Sequence, residues 1–150
     1  MAGHSASGAR TRARELLLQA LYQKQIAGHE LAELLKQFRA QAAYERVDVE
    51  FFDTALADIC RQQPELEVTI AGLIDRPLEQ LDPVELGILL IGAYELQHRP
   101  DVPYRVVINE GVNLGKRFAS VDGYKYVNAC LDKAAQALRK LEVQAGHARH

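Results

Sequence analysis

The chain has 150 residues, which is enough for one domain or for two small units that share a core. Its 48% hydrophobic and 25% charged residues are ordinary for a water-soluble globule, and no run approaches the roughly 18 apolar residues of a membrane span. The two cysteines, Cys60 and Cys130, fit no metal or redox spacing and are interpreted as reduced core residues. Because the start also lacks a signal-peptide pattern, these features exclude a disulfide-rich secreted scaffold and favour a cytoplasmic protein.

Charge is unevenly distributed, although the formal net charge is only −2. Residues 1–44 hold six basic and three acidic side chains, residues 45–101 hold four and thirteen, and residues 102–140 hold seven and three. Such a basic–acidic–basic chain can offer one surface to a polyanion and another to a basic protein. Unpatterned solvated charge is the alternative that the distribution alone leaves open.

Apolar residues recur with helical spacing along nearly the whole chain, and the alternation typical of strands is scarce. The first predicted helix runs from about residue 12 to 27 and stops at Gly28. A second helix carries the apolar stripe of residues 31–38, and a third follows an N-cap at Asp48. Pro64 then marks a break and the first turn of a fourth helix.

The connector "DRPLEQLDP" leads into a fifth helix. Asp82, Pro83 and Glu85 combine a capping aspartate, proline at the first helical position and a carboxylate at the third. The helix that follows, "VELGILLIGAYELQH", is apolar nearly all round, which predicts the buried centre of the molecule.

A sixth helix starts near "DVP" and a seventh follows a cap at Asp122. Gly111 and Gly115 share the inward face of the sixth helix, and we expect them to let it approach the fifth helix closely. We therefore predict an all-α fold of about seven helices.

The predicted domain organisation has a single helical domain between two tails. Residues 1–8 and 142–150 are rich in Gly, Ala and His and are expected to be disordered. The domain between them, residues 9–141, divides into an N-terminal bundle at about 9–76 and a C-terminal bundle at about 82–141.

Signals for an enzyme, a cofactor or a metal are absent from the sequence. "GVNLGK" has one residue too few between its glycines for a phosphate loop, and it lies inside a helical stripe. The five histidines are scattered, and no pair has the spacing of metal ligands on a helix. We expect no catalytic activity, no cofactor and no metal.

The first basic feature is the stretch "ARTRAR", which holds Arg10, Arg12 and Arg14 and no acid. At the start of a helix these charges would oppose the macrodipole, and helical spacing would turn Arg12 away from the other two. An extended arm, disordered until it binds phosphates, would let all three point the same way. Solubility alone is the competing explanation for the arginines.

The second basic feature surrounds the turn between the last two predicted helices, in "GKRFASVDGYKYVN". Cationic groups bind phosphates, and unstacked bases lie against aromatic faces, so this mixture is typical of single-stranded RNA binding. Core packing of Phe118, a capping role for Asp122 and a core-edge position for Tyr22 are the alternatives. The candidate RNA-binding residues are Arg10, Arg12, Arg14, Tyr22, Lys116, Arg117, Phe118, Asp122, Tyr124, Lys125 and Tyr126.

Several blocks of the chain resemble the NusB family of bacterial transcription antitermination factors. "AYELQHRPDVPYRVVINEGVNLGKRF" and "YKYVNACLDKAA" are similar to blocks in the C-terminal half of the family, and "RARELLLQALYQ" is similar to its N-terminal block. The likeness covers about residues 9–140 and keeps the family order. Leu90 stands where many members carry an arginine, so no RNA contact is assigned to the fifth helix.

The resemblance implies two small helical bundles packed across each other. It also implies binding to the boxA element of nascent ribosomal RNA leaders, together with the ribosomal protein NusE, within an antitermination complex on RNA polymerase. The acidic middle of the chain would then face NusE, with Asp75, Glu79 and Glu85 as candidates. Two alternatives remain: a protein-interaction adaptor without RNA binding, and a stand-alone relative of the NusB-like domain of ribosomal RNA methyltransferases.

Overall fold

The structure, a computed structural model, describes the backbone of residues 2–148 and the side chains of residues 8–146. Within that range it has seven α-helices and no strand, which confirms the all-α prediction. Met1, Arg149 and His150, which fall in the predicted tails, lie outside the described residues. The helices are α1 (Ala2–Ala27), α2 (Leu31–Arg39), α3 (Val49–Ala71), α4 (Pro83–His98), α5 (Tyr104–Phe118), α6 (Gly123–Leu138) and α7 (Lys140–Ala148), with 3₁₀ turns at Ala42–Arg46 and Leu78–Gln80. No helix in the described range is long and apolar enough to cross a membrane.

The helix count agrees with the prediction, but the segmentation differs at Pro64. This proline lies inside α3, so the predicted third and fourth helices are one. Ile59 before it and Leu66 after it are both buried, and burial on each side holds the helix through the position that lacks an N–H donor. The additional helix is α7, in a stretch where we expect a disordered tail from residue 142.

Contacts divide the chain into two compact units, residues 1–62 and 63–150, and the boundary falls within α3. The first unit contains α1 and α2, whose apolar faces supply buried side chains such as Leu17, Leu21, Leu34 and Phe38. The predicted end of α1 is confirmed, because Gly28 has φ of 72°, a left-handed conformation that favours glycine.

The second unit is built around α4, whose residues 85–96 are all buried. This confirms that the helix without a polar face is a buried centre. Its start also agrees with the sequence pattern, since the Asp82 carboxylate accepts a hydrogen bond of 2.7 Å from the Val84 N–H.

Glycines let three helices of the second unit approach one another closely, but not in the predicted pair. A Cβ on Gly115 would lie 2.9 Å from the Tyr124 Cα of α6. A Cβ on Gly111 would collide with a methyl group of Leu131, and a Cβ on Gly92 of α4 would lie 2.5 Å from the same side chain. The two glycines of α5 therefore bring it against α6, whereas we expect α4 as the partner.

The C-terminal end of α4 is completed by one distant side chain, Arg139. Its Nε donates to the Leu96 carbonyl at 2.7 Å, and its Nη2 donates to the carbonyls of Glu95 at 3.1 Å and Arg99 at 2.8 Å. The Glu95 and Arg99 carbonyls also accept backbone hydrogen bonds of 3.0 Å, from the N–H groups of Arg99 and Val102. Arg139 therefore gives each of these carbonyls a second donor and supplies a side-chain donor to the Leu96 carbonyl in the last turn of the helix.

The helix α7 is tied to the same unit by polar and apolar contacts. Glu142 pairs with Arg139 and also accepts a 2.9 Å hydrogen bond from the Tyr104 N–H at the start of α5. Val143 is buried in a cluster with Tyr104 and Val102. The prediction of disorder from residue 142 is wrong for the described part of that tail. Glu142 and Val143 contact residues far away in the sequence, and the local composition does not indicate those contacts.

Candidate nucleic-acid interface

The arginine stretch lies inside α1, so the prediction of an extended arm is wrong. The helix α1 begins at Ala2, whereas we expect it to begin at about residue 12 after a disordered tail. The arginines therefore lie beyond its first turn, where the positive end of the macrodipole does not oppose them. Tertiary bonds also fix the segment, since the Asp48 N–H donates to the Ala9 carbonyl at 3.0 Å. Ala13, between two of the arginines, is fully buried.

The three arginines have three different environments. Arg10 donates to the Asp48 carboxylate from Nε at 3.2 Å and from Nη2 at 3.1 Å. Arg14 is only 3% exposed, and its guanidinium lies 5.2 Å from the centre of the Phe51 ring. Arg12 is exposed, and its Nε donates to the Arg46 carbonyl at 2.9 Å. Of the three, Arg12 therefore has the exposed guanidinium, while Arg10 is paired with Asp48 and Arg14 is buried.

Tyr22 lies farther along α1 and is 43% exposed. A ring this accessible can stack against a base, so its position fits the RNA-binding interpretation better than a core-edge role. The arginines and Tyr22 belong to the first unit.

The second predicted cluster lies in the second unit, at the end of α5 and the start of α6. The Lys116 Nζ is 5.3 Å from the centre of the Tyr124 ring, and the Lys125 Nζ is 6.0 Å from it. The Arg117 guanidinium lies 5.0 Å from the centre of the Phe118 ring, and Phe118 is 39% exposed. The close approach at Gly115 brings both helix ends together, so cations and aromatic faces alternate on one exposed turn.

Tyr126 belongs to the same cluster but is held differently. Its ring is covered by the guanidinium of Arg76, 4.4 Å from the ring centre, and its hydroxyl donates to Asp75 at 3.4 Å. Burial, with a contribution from Cys130, raises the pKa of Tyr126 to about 12. Arg76 is a candidate that the sequence pattern does not indicate, because it lies 50 positions before the tyrosine in the connector after α3.

Asp122 occupies the N-cap position of α6, but its side chain makes no cap hydrogen bond. The carboxylate is exposed and pairs with Lys125 at 3.4 Å, one turn along the helix. The predicted N-cap position of Asp122 is confirmed, but the predicted capping hydrogen bond is absent. The carboxylate forms an ion pair with Lys125 instead.

The acidic candidates for partner binding are not equivalent. Glu85 is only 8% exposed, and its Oε2 lies 2.9 Å from where a Cβ on Gly123 would be. Burial, reinforced by Asp82, raises the pKa of the Glu85 carboxyl. Glu85 is thus poorly placed to meet a partner, which corrects its selection as a candidate for NusE binding. Asp75 and Glu79 are exposed, although Asp75 is engaged by Arg76, whose hydrogen bond lowers the pKa of that carboxyl.

Metal binding has no support in the part of the chain that the structure describes. No group of three or more His, Cys, Asp or Glu side chains there could hold a metal ion.

Comparison with known proteins gives a consistent family assignment. The family model described as the NusB family matches residues 11–136. The transcription antitermination protein NusB of Paraburkholderia xenovorans is 46% identical over 94% of this chain and 98% of its own length. The protein of that name from Marinobacter nauticus is 42% identical over 95% of this chain and 90% of its own length.

A solved structure agrees on the fold. The crystal structure of T. maritima NusB superposes with a TM-score of 0.80 and covers 90% of this chain and 96% of its own, at 24% sequence identity. At that identity the superposition shows a shared fold, while the sequence matches show common descent. The chain belongs to the NusB family.

Proposed function

We propose that the chain is a transcription antitermination factor that binds the boxA element of nascent ribosomal RNA leader transcripts together with NusE. In this role it promotes full transcription of ribosomal RNA operons in the cytoplasm, as part of an antitermination complex of RNA polymerase and other Nus factors. No catalytic step is involved. The names of its relatives support antitermination as the activity.

The observation that carries the RNA-binding part is the exposed turn between α5 and α6. Lys116 and Lys125 flank the Tyr124 ring, and Arg117 lies over Phe118. A single-stranded RNA can place phosphates on these cations and bases on the aromatic faces, each stacked base contributing roughly 1–3 kcal/mol. Arg12 adds an exposed guanidinium in the first unit.

The acidic part of the chain supports a basic protein as the second partner. Asp75 and Glu79 are exposed on or beside the connector between α3 and α4. A ribosomal protein such as NusE carries an excess of positive charge, and complementary charge accelerates association and fixes orientation. We assign NusE binding to this connector and not to the buried Glu85.

The test measures the affinity of a fluorescein-labelled boxA RNA by anisotropy over a range of salt concentrations, with and without NusE. Lys116→Ala with Lys125→Ala should weaken binding and flatten the log–log salt slope by about 0.7 for each phosphate that the variant no longer neutralises. Lys133→Ala, an exposed lysine elsewhere on α6, is the matched control.

The outcomes separate the proposal from its rival. Salt-dependent RNA binding that falls in the double variant and not in Lys133→Ala supports it. A wild-type chain that binds NusE but no RNA would instead be a protein-interaction adaptor.

A further inference from the structure

A groove in the first unit lies between α1 and the 3₁₀ turn Ala42–Arg46. It encloses about 300 Å³, which is the lower end of the range for ligand sites and matches one small planar ligand better than a long segment. Its floor is apolar, from Leu16 and Val47, and its other lining residues are Arg12, Glu15, Gln19, Ala42, Ala43 and Arg46.

The charge of the groove favours an anion. Arg12 and Arg46 contribute two guanidinium groups against the one carboxylate of Glu15. The bond that the Arg12 Nε makes to the Arg46 carbonyl is to an uncharged acceptor, so it orients the guanidinium without neutralising its charge. The contrast is with Arg10, two residues earlier on α1, whose charge is already neutralised by Asp48.

The two sides of the groove are held together by the backbone as well as by side chains. The Arg12 Nε donates to the Arg46 carbonyl at 2.9 Å, and two residues later the Asp48 N–H donates to the Ala9 carbonyl at 3.0 Å. Arg12 is therefore oriented by a bond from Nε that leaves its two terminal nitrogens for a ligand. A site whose cations are already positioned loses less entropy when it binds.

We infer that this groove binds one unstacked nucleotide of a single-stranded RNA, with its phosphate on Arg12 and Arg46 and its base over the apolar floor beside Ala42 and Ala43. Guanidinium groups supply both bidentate phosphate contacts and a flat face for a base. The inference rests on the proposed RNA-binding function; the sequence already makes Arg12 a candidate, and the groove adds Arg46 and a defined subsite around the two guanidinium groups.

The first experiment removes one guanidinium. The side chain of Arg46 is exposed, and the bond from Arg12 is accepted by the Arg46 backbone carbonyl, which an alanine keeps. Arg46→Ala should therefore leave the melting temperature unchanged. Affinity for the fluorescein-labelled boxA RNA should fall about fourfold near 0.15 M salt, and the log–log salt slope should flatten by about 0.7, as expected for one phosphate contact. Lys36→Ala on α2 removes the same charge from another exposed position and is the control.

The second experiment fills the groove without removing an arginine. Ala43→Glu places a carboxylate on the groove wall and should weaken RNA binding at least as much as Arg46→Ala, whereas Ala32→Glu on α2 should change it less. A scan with single methylphosphonates in the RNA then locates the phosphate. One neutralised position should weaken binding to the wild-type chain and have a smaller further effect on Arg46→Ala, in which only the Arg12 contact to that phosphate remains.

The failures are distinguishable. If the wild-type chain shows no salt-dependent RNA binding, both the proposed function and this inference are overturned. If it binds RNA, and Arg46→Ala and Ala43→Glu match their controls, only the nucleotide subsite is overturned. If Arg46→Ala weakens the binding of NusE in the absence of RNA and leaves RNA affinity unchanged, the groove contacts the protein partner and the nucleotide subsite is overturned.

Discussion

Replacing Gly115 by alanine tests the close approach that forms the exposed turn. The new Cβ would lie 2.9 Å from the Tyr124 Cα, 3.0 Å from its Cβ and 3.4 Å from its backbone nitrogen. Real Cβ atoms do not approach so closely, and the nearest atom belongs to the backbone, which cannot rotate away as a side chain can. The first turn of α6 must therefore move away from α5.

The expected cost follows from two opposing effects. Alanine in a helix interior gains about 1 kcal/mol over glycine. Overpacking a tight contact costs about 1–3 kcal/mol, and a rigid neighbour places the cost in the upper part of that range. The free energy of unfolding should fall by about 1–2 kcal/mol, measured by urea denaturation with an unchanged m-value. Gly72→Ala is the matched control, because its Cβ would make only an ordinary 3.5 Å contact.

The same variant has a functional readout. Movement of the first turn of α6 separates Tyr124 from Lys116, so affinity for the boxA RNA should fall in Gly115→Ala and remain unchanged in Gly72→Ala. A Gly115→Ala chain as stable as the wild type, with full RNA affinity, would refute the claim that this approach is tight and positions the turn.

The remaining predictions concern single side chains. Arg14→Ala should lower the free energy of unfolding by about 2 kcal/mol, while Arg12→Ala should change it by less than about 0.5 kcal/mol, because only Arg14 is buried; equal losses in urea denaturation would contradict this. Burial raises the pKa of Glu85, so the stability linked to its protonation is present below the ordinary value of 4.5 and is lost as the pH rises through the raised value. Glu85→Gln should therefore gain stability relative to the wild type as the pH rises above the ordinary value of 4.5 in thermal melts, and a pH-independent difference would refute the assignment. Tyr126→Phe keeps the ring and loses the bond to Asp75, so RNA affinity should hold, whereas Tyr126→Ala should weaken binding by roughly 1–3 kcal/mol; equal losses would mean that the hydroxyl and not the ring binds RNA.

Local patterns predict those elements of this fold whose causes are local. The Asp82–Pro83 start of α4, its uniform apolarity and the stop at Gly28 each depend on residues within one helical turn. Pro64 misleads for the opposite reason: its local preference for a first turn is overridden by burial of residues on both sides. The helix α7 is missed because its anchors, Tyr104 and Val102, are about 40 residues away.

In the candidate site, too, the sequence predicts the residues that lie close together in the chain and misses the effects of distant contacts. The cations and rings at the α5–α6 turn lie within residues 116–126, so composition alone finds them. The three arginines of α1 look alike in sequence, yet Asp48 and Phe51 engage Arg10 and Arg14 and leave Arg12 exposed. Arg46 joins the site only through folding, from another part of the first unit.

The bonds of Arg139 bear on the order in which the chain folds during its synthesis. All contacts within the first unit are complete once residue 62 has been made, so that unit can fold while the ribosome is still translating the second. The side-chain bonds at the end of α4 must wait for Arg139, which follows Leu96 by 43 residues and is made roughly 2–9 s later at ordinary bacterial rates. During that interval α4, whose residues 85–96 are all buried in the finished unit, lacks part of the chain that completes the unit around it, so a nascent chain that ends between α4 and α7 exposes apolar surface that promotes aggregation.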